Sequence, residues 1–364
     1  MVQPLPSRSL ARRATVVAAY VLLLVAAMAA LGRKDKPSQV PMPPDLLLEG
    51  DRKLTFVQSF SSERETRGKL GFWNKMLDVV AGEPEYHRVI RPYSVAVDSR
   101  GRIIVTDPGA EGVHIFDFAQ HKYKFLDRHD KNKSPMKAPQ CIAVDAQDNI
   151  YVTDSEAGEI FIFDSRGSFR RTIGGLKGGE GFFKRPTGIA VDSEAKRIYV
   201  TDTLRDQIFV LDMAGTVLAT IGKHGTDPGE LYYPTELRLT KGGLIAVDAM
   251  NFRVQLFSPD GTVQGVIGHV SEALGGMFRP KGIGVDSEDH IYVVEGLWGV
   301  VQVFDRQGQP LYYFGKRGSG LGEFQLPSGL FIDKNDRIYV VDSFNGRVQI
   351  FQYYGMTRAK GAIK

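Results

Sequence analysis

Residues 185–212 read "RPTGIAVDSEAKRIYVTDTLRDQIFVLD". Three short apolar runs, GIAV, IYV and IFVL, are separated by charged turns and close at Asp192, Asp202 and Asp212. The chain writes nearly the same sentence five more times: "RPYSVAVDSRGRIIVTD" from Arg91, "APQCIAVDAQDNIYVTD" from Ala138, "YPTELRLTKGGLIAVD" from Tyr233, "RPKGIGVDSEDHIYVVE" from Arg279 and "LPSGLFIDKNDRIYVVD" from Leu326. Aligned prolines fall at Pro92, Pro139, Pro186, Pro234, Pro280 and Pro327, 46 to 48 residues apart. An acidic column (Asp107, Asp154, Asp202, Asp248, Glu295, Asp342) keeps the same step. Two columns in register six times define a repeat protein.

Each unit holds apolar runs of four to six residues, rich in Val, Ile, Tyr and Phe and bounded by Gly, Asp, Ser or Pro. These are strand signals, and none is long enough for a helix. A third strand follows the acid in every unit, starting at Val113, Ile160, Ile208, Val254, Val301 and Val348. A glycine turn (Gly167, Gly215, Gly261, Gly308) then leads to a fourth, as in "TVLATIG" from Thr216; unit one writes "FAQHKYKFL" instead. The expected fold is all-β, a six-bladed β-propeller of four-stranded antiparallel blades. Sheets with two apolar faces cannot be left in water, and packing them side by side covers both. Unit six lacks a fourth strand, because "MTRAKGAIK" after Gly355 is a poor one. The N-terminal "KLTFVQSF", Lys53 to Phe60, matches the missing pattern. Pairing both ends of the chain in one blade removes two open edges.

The pattern GIAVD…IYVTD…IFVLD…G resembles the NHL repeat over roughly residues 51–355. The Asp-x-x-Asn-x-Arg turn of that family is present at Asp248, Asn251, Arg253 and at Asp342, Asn345, Arg347, and missing from units one, two, three and five. The resemblance implies that these turns and the inter-blade connections share a binding face.

The net charge of +4 is concentrated at one end: residues 1–36 carry six Lys or Arg and one Asp, a net of +5, which leaves −1 for the remainder. That balance argues against nucleic acid as a partner. The basic stretch His121 to Lys137 reads as a solvated edge protected by lysines. One cysteine, Cys141, excludes an internal disulfide. After a basic tail, residues 1–13 with Arg8, Arg12 and Arg13, come eighteen uncharged residues, 14–31. This length approaches the ~20 residues that span a bilayer and exceeds an ordinary signal core. It reads as an uncleaved membrane anchor or a cleaved signal peptide; "AMA" at 27–29 favours cleavage, and Arg33, Lys34 and Lys36 disfavour it. Either way the propeller, residues 51–364, is expected in a bacterial envelope, on the periplasmic face of the inner membrane or released beyond it. Residues 32–50, with prolines at 37, 41, 43 and 44, form a spacer.

Catalytic chemistry at a propeller axis requires His, Asp, Glu or Asn converging on the inner strands. The residues that enter them are Tyr93-Ser94, Gln140-Cys141, Thr187-Gly188, Thr235-Glu236, Lys281-Gly282 and Ser328-Gly329, among which only Glu236 is acidic. His87, His129, His224 and His269 fall in connections, and the acidic column closes a strand in every unit, as a turn cap does. No metal or cofactor site is expected. Departures from the repeat supply the candidates. Unit four places Glu236 where the others carry Gly, Ser or Cys and Arg238 where they carry mostly Ala or Gly; these charges either pair or grip a ligand. Unit five carries Trp298 in the turn after Glu295, as a contact or a core residue. In the long segment after Phe60, "GKLGFWNKMLDVVAG" sets Leu70, Trp73, Leu77 and Val80 at helical steps, an amphipathic insert over about 67–81 whose stripe must dock on something. The expectation is a non-catalytic propeller that binds a protein or peptide partner. The alternative is a lyase or lactonase with a metal-dependent axial site around Glu236, Arg238 and Lys281.

Overall fold

The computed structural model describes residues 41–67, 86–127, 136–174 and 182–355. Six antiparallel sheets are arranged as blades, and the inner strands of neighbouring blades touch all the way round. Those inner strands are Ser94–Val97, Pro139–Val144, Pro186–Asp192, Pro234–Thr240, Pro280–Val285 and Leu330–Ile332, one for each of blades one to six. Blade three shows the plan: Pro186–Asp192 pairs with Arg197–Asp202, then Gln207–Asp212, then Val217–Ile221.

Chain closure follows the sequence expectation. Lys53–Phe60 pairs with Arg347–Tyr354, from Lys53 opposite Tyr354 to Phe60 opposite Val348, and completes blade six. Leu46–Leu47, inside the spacer, adds a fifth strand to that sheet. An irregularity between Phe56 and Gln58 switches the face that the closing strand presents. Leu54 and Phe56 therefore enter the core between blades five and six, while Phe60 enters the core between six and one. The core consists of six such apolar clusters, each clamped between two neighbouring blades, as between Ile142, Val152 and Phe161 of blade two and Ile104, Val113 and Ile115 of blade one. No central hydrophobic core exists among the described residues, so each blade depends on its neighbours.

Blade one solves its missing glycine with His121, whose φ of 55° supplies the left-handed residue that Gly167 and Gly215 supply elsewhere. The described residues contain only three short 3-10 turns, Glu63–Thr66, Ala249–Asn251 and Ser343–Asn345, and no helix long and apolar enough to cross a membrane. The expected anchor at 14–31 lies outside the described residues, as does the insert at 67–81 beyond Arg67.

Candidate binding face and axial mouth

The acidic column ties each second strand to the connection that enters its own blade. Asp202 accepts the main-chain N–H of Lys184 (2.8 Å) and Arg185 (3.0 Å). Asp154 does the same for Lys137 and Ala138, Asp107 for Ile90 and Arg91, and Glu295 for Phe278 and Arg279. In blades four and six the remaining lone pairs take Asn251, Arg253 and Gln255, or Asn345, Arg347 and Gln349. In blades one, two and five, where the Asn-x-Arg turn is missing, the carboxylate bonds the turn's own N–H groups: Gly109 and Ala110 at Asp107, Glu156 and Ala157 at Asp154, and Leu297 at Glu295. His114, at the position of those glutamines, also bonds Asp107 (3.2 Å). These acids are consumed by structure, and they fix the loops that build one face.

At the centre of that face opens a cavity of about 290 Å3, lined by residues of five blades and hence on the axis. Its wall carries Arg185, Arg279 and Lys281, with Tyr93, Gln140 and Tyr233. Arg185 reaches only the Tyr233 hydroxyl, at 3.5 Å, and Lys281 lies 6.0 Å from the centre of the Tyr93 ring. Among the described residues none of these three cations has a carboxylate within 4 Å. Burial, reinforced by Arg279, lowers the pKa of Lys281 below its ordinary value. Thr235 on the same wall is 9% exposed, and its Oγ1 is buried with no hydrogen-bond partner.

Below the mouth sit the two unit-four charges, which the sequence left either pairing or gripping a ligand. They stand 3.9 Å apart, and each has a nearer partner. The Cys141 thiol of blade two donates to Glu236 Oε2 at 3.2 Å. Arg238 crosses to the main chain of blades five and six, donating to Ile283 O (3.1 Å) and Leu330 O (2.7 Å), with its guanidinium over Phe331. Arg238 is therefore an axial strut, a role that a pairwise reading could not reveal. Glu236 is 5% exposed, and burial raises its pKa against the opposing pull of Arg238. Burial, then Glu236, pushes the Cys141 thiol well above its ordinary value. Gly188 is required beside this layer, because a Cβ there would stand 2.8 Å from the Glu236 main chain.

Around the mouth runs an apolar arc. The second residue after the acid is Leu204, Met250, Leu297 and Phe344 in blades three to six, 47 to 58% exposed. Met250 belongs to both arc and mouth. Trp298, the sequence candidate in this turn, is half-buried edge-on against Phe278 and lines a side groove with Leu274 and Tyr313; the exposed residue of the turn is its neighbour Leu297. Trp73 lies outside the described residues. The structure thus brings Glu236, Arg238 and Lys281 to the axis and sets Trp298 behind the wall. Sequence reasoning passed over Arg185 and Arg279, although Arg precedes the aligned proline in units one, three and five and in no other. Among the described residues no three His, Cys, Asp or Glu side chains are grouped to hold a metal.

Residues 190–263 and 284–359 match a family described as a 6-bladed beta-propeller, and residues 137–163 match the NHL repeat. No curated protein sequence matches the chain. The structure is similar to a structural genomics protein of unknown function from Bacteroides thetaiotaomicron, at 14% identity and a TM-score of 0.59, covering 86% of this chain and 84% of that one. It is similar to a virginiamycin B lyase from Staphylococcus aureus (14%, TM-score 0.54, 83% of this chain and 99% of that one). An auxiliary nutrient binding protein from B. thetaiotaomicron is also similar (14%, TM-score 0.54, 73% and 69%). Such identities establish the shared fold, which serves a lyase and a binding protein alike.

Proposed function

From the premise that the chain belongs to the NHL-repeat six-bladed β-propellers, we propose that it is a non-catalytic binding propeller of the bacterial envelope. Residues 14–31 hold it at the membrane, and the face of inter-blade connections receives a protein or peptide partner. The observation that carries this reading is the arc of Leu204, Met250, Leu297 and Phe344, four exposed apolar side chains around a polar mouth on loops locked by buried carboxylates. Apolar side chains set on rigid loops lose little conformational freedom on binding, which favours association. The alternative, a lyase or lactonase at the axis, needs acid–base groups or a metal there. The one carboxylate at that level, Glu236, is buried and takes a hydrogen bond from Cys141.

Affinity capture from intact envelopes with the full chain tests the reading. Leu204→Ser with Phe344→Ser is expected to abolish capture at unchanged melting temperature, while Leu218→Ser, on an outer strand, leaves capture intact. Trp73→Ser with Leu77→Ser is expected to weaken capture more than it lowers the melting temperature. Equal capture by parent and arc variant removes the binding role from this face. A stoichiometric divalent ion in the purified protein, lost together with a lyase or lactonase activity in Glu236→Gln, replaces it with the enzyme.

A further inference from the structure

Three cations with no carboxylate within 4 Å among the described residues, held at one small cavity, are an expensive arrangement. Arg185, Arg279 and Lys281 repel one another at the mouth; like charges placed together cost stability that a fold has no reason to spend on itself. The acids nearest the two arginines do not pair with them. The carboxylates of Asp202 and Glu295 accept the main-chain N–H of the two arginines, and neither comes within 4 Å of their guanidinium groups. Glu236 is bonded to Cys141 and stands beside Arg238, and it offsets only part of the cost at Lys281, where burial and Arg279 outweigh it. A ligand carboxylate facing the cations would offset that charge. The ligand must also suit the apolar arc that continues outward through Met250.

We propose that the axial mouth is an anion site that takes the carboxylates of an acidic peptide segment, flanked by apolar residues that lie on the arc. Arg185 from blade three and Arg279 from blade five grip from the two sides of blade four as planar donors suited to carboxylates, and Lys281 adds a point charge. This inference rests on the binding role proposed above and names the chemistry of the partner.

The test is fluorescence anisotropy with the detergent-solubilised full chain and a capped, labelled hexapeptide of alternating Glu and Leu. The same peptide with Gln for Glu, and inorganic phosphate as competitor, are the other arms. The Glu peptide is expected to bind and to weaken as salt rises. Arg185→Gln and Arg279→Gln are each expected to weaken it by about tenfold or more, as loss of a charge-assisted hydrogen bond does. Neither guanidinium has a carboxylate partner among the described residues and both stand near Lys281, so melting temperatures should hold or rise. Equal affinity for the Gln peptide, or unchanged affinity in the double arginine variant, overturns the proposal. Phosphate that binds as tightly as the Glu peptide overturns the peptide assignment in favour of a free anion. Envelope capture that survives Arg185→Gln with Arg279→Gln but fails in the arc variant overturns the anion site and leaves the binding role standing. Capture that survives in both overturns the role itself.

Discussion

Glu236 gives the axis a pH dependence whose sign can be worked out. Burial raises its pKa above the ordinary 4.5, so between those two values the folded chain holds a proton that the unfolded chain has released. Stability then falls as pH climbs through that window and levels off above the raised value. Glu236→Gln removes the effect. Parent and variant are expected to melt together below pH 4.5, with the variant increasingly the more stable as pH rises through the window, as read by thermal unfolding across a pH series. A constant gap at all pH values would mean the carboxyl titrates alike in both states. At this scale the sequence was legible where a residue type repeats. Six acids at one step read as turn caps; Asp107, Asp154 and Glu295 bond the N–H groups of their turns, whereas Asp248 and Asp342 hold Asn, Arg and Gln side chains instead. Arg238 was illegible because its partners, Ile283 O and Leu330 O, are main-chain atoms 45 and 92 positions away. Backbone carbonyls leave no signature in a sequence. Thr235 is similar: an orphan hydroxyl is visible only once every neighbour has been placed.

The closing strand is the element on which the ring depends. Leu54 and Phe56 fill the core between blades five and six, and Phe60 fills that between six and one. Burying one such side chain contributes about 1.5–3 kcal/mol, so the three together reach about 5–9 kcal/mol. That is comparable with the roughly 5–15 kcal/mol that holds a whole domain folded. Deletion of Leu54 to Phe60 is accordingly expected to give insoluble or protease-sensitive protein, measured by solubility and limited proteolysis. A deletion variant that melts like the parent would mean that the described pairing contributes little to closure. This strand was readable from a count: five units own four strands and the sixth owns three. Leu46–Leu47 was not, since two residues among prolines carry no alternation. The turn at His121 was not either, because a left-handed histidine reproduces the geometry of glycine without its letter.

At the scale of the whole molecule, repetition made the fold legible and hid the function. Every column that repeats six times is architecture, and what distinguishes the mouth is a set of residues shared by only some of the units, meeting from different blades. Cys141 comes from blade two, Arg185 from three, Thr235 and Glu236 from four, Arg279 and Lys281 from five. None is informative beside its sequence neighbours, and they become a site only when the ring closes. The ring also has a history in time. Lys53 pairs with Tyr354, 301 positions later, and Phe60 with Val348, 288 positions later. At about 5–20 residues per second, the closing strand waits roughly 15–60 s after leaving the ribosome for its partner to be made. Throughout that interval Phe56 and Phe60 have no blade to enter, and contacts this distant form last. Chains stopped before Arg347 are expected to be cut by chymotrypsin at Phe56 and Phe60, whereas complete chains bury both; resistance in the stopped chains would mean the strand finds other cover. The eight residues Arg347–Tyr354 therefore act as a clock: the cell holds an open arc of blades until they arrive, and the axis exists as a site only afterwards.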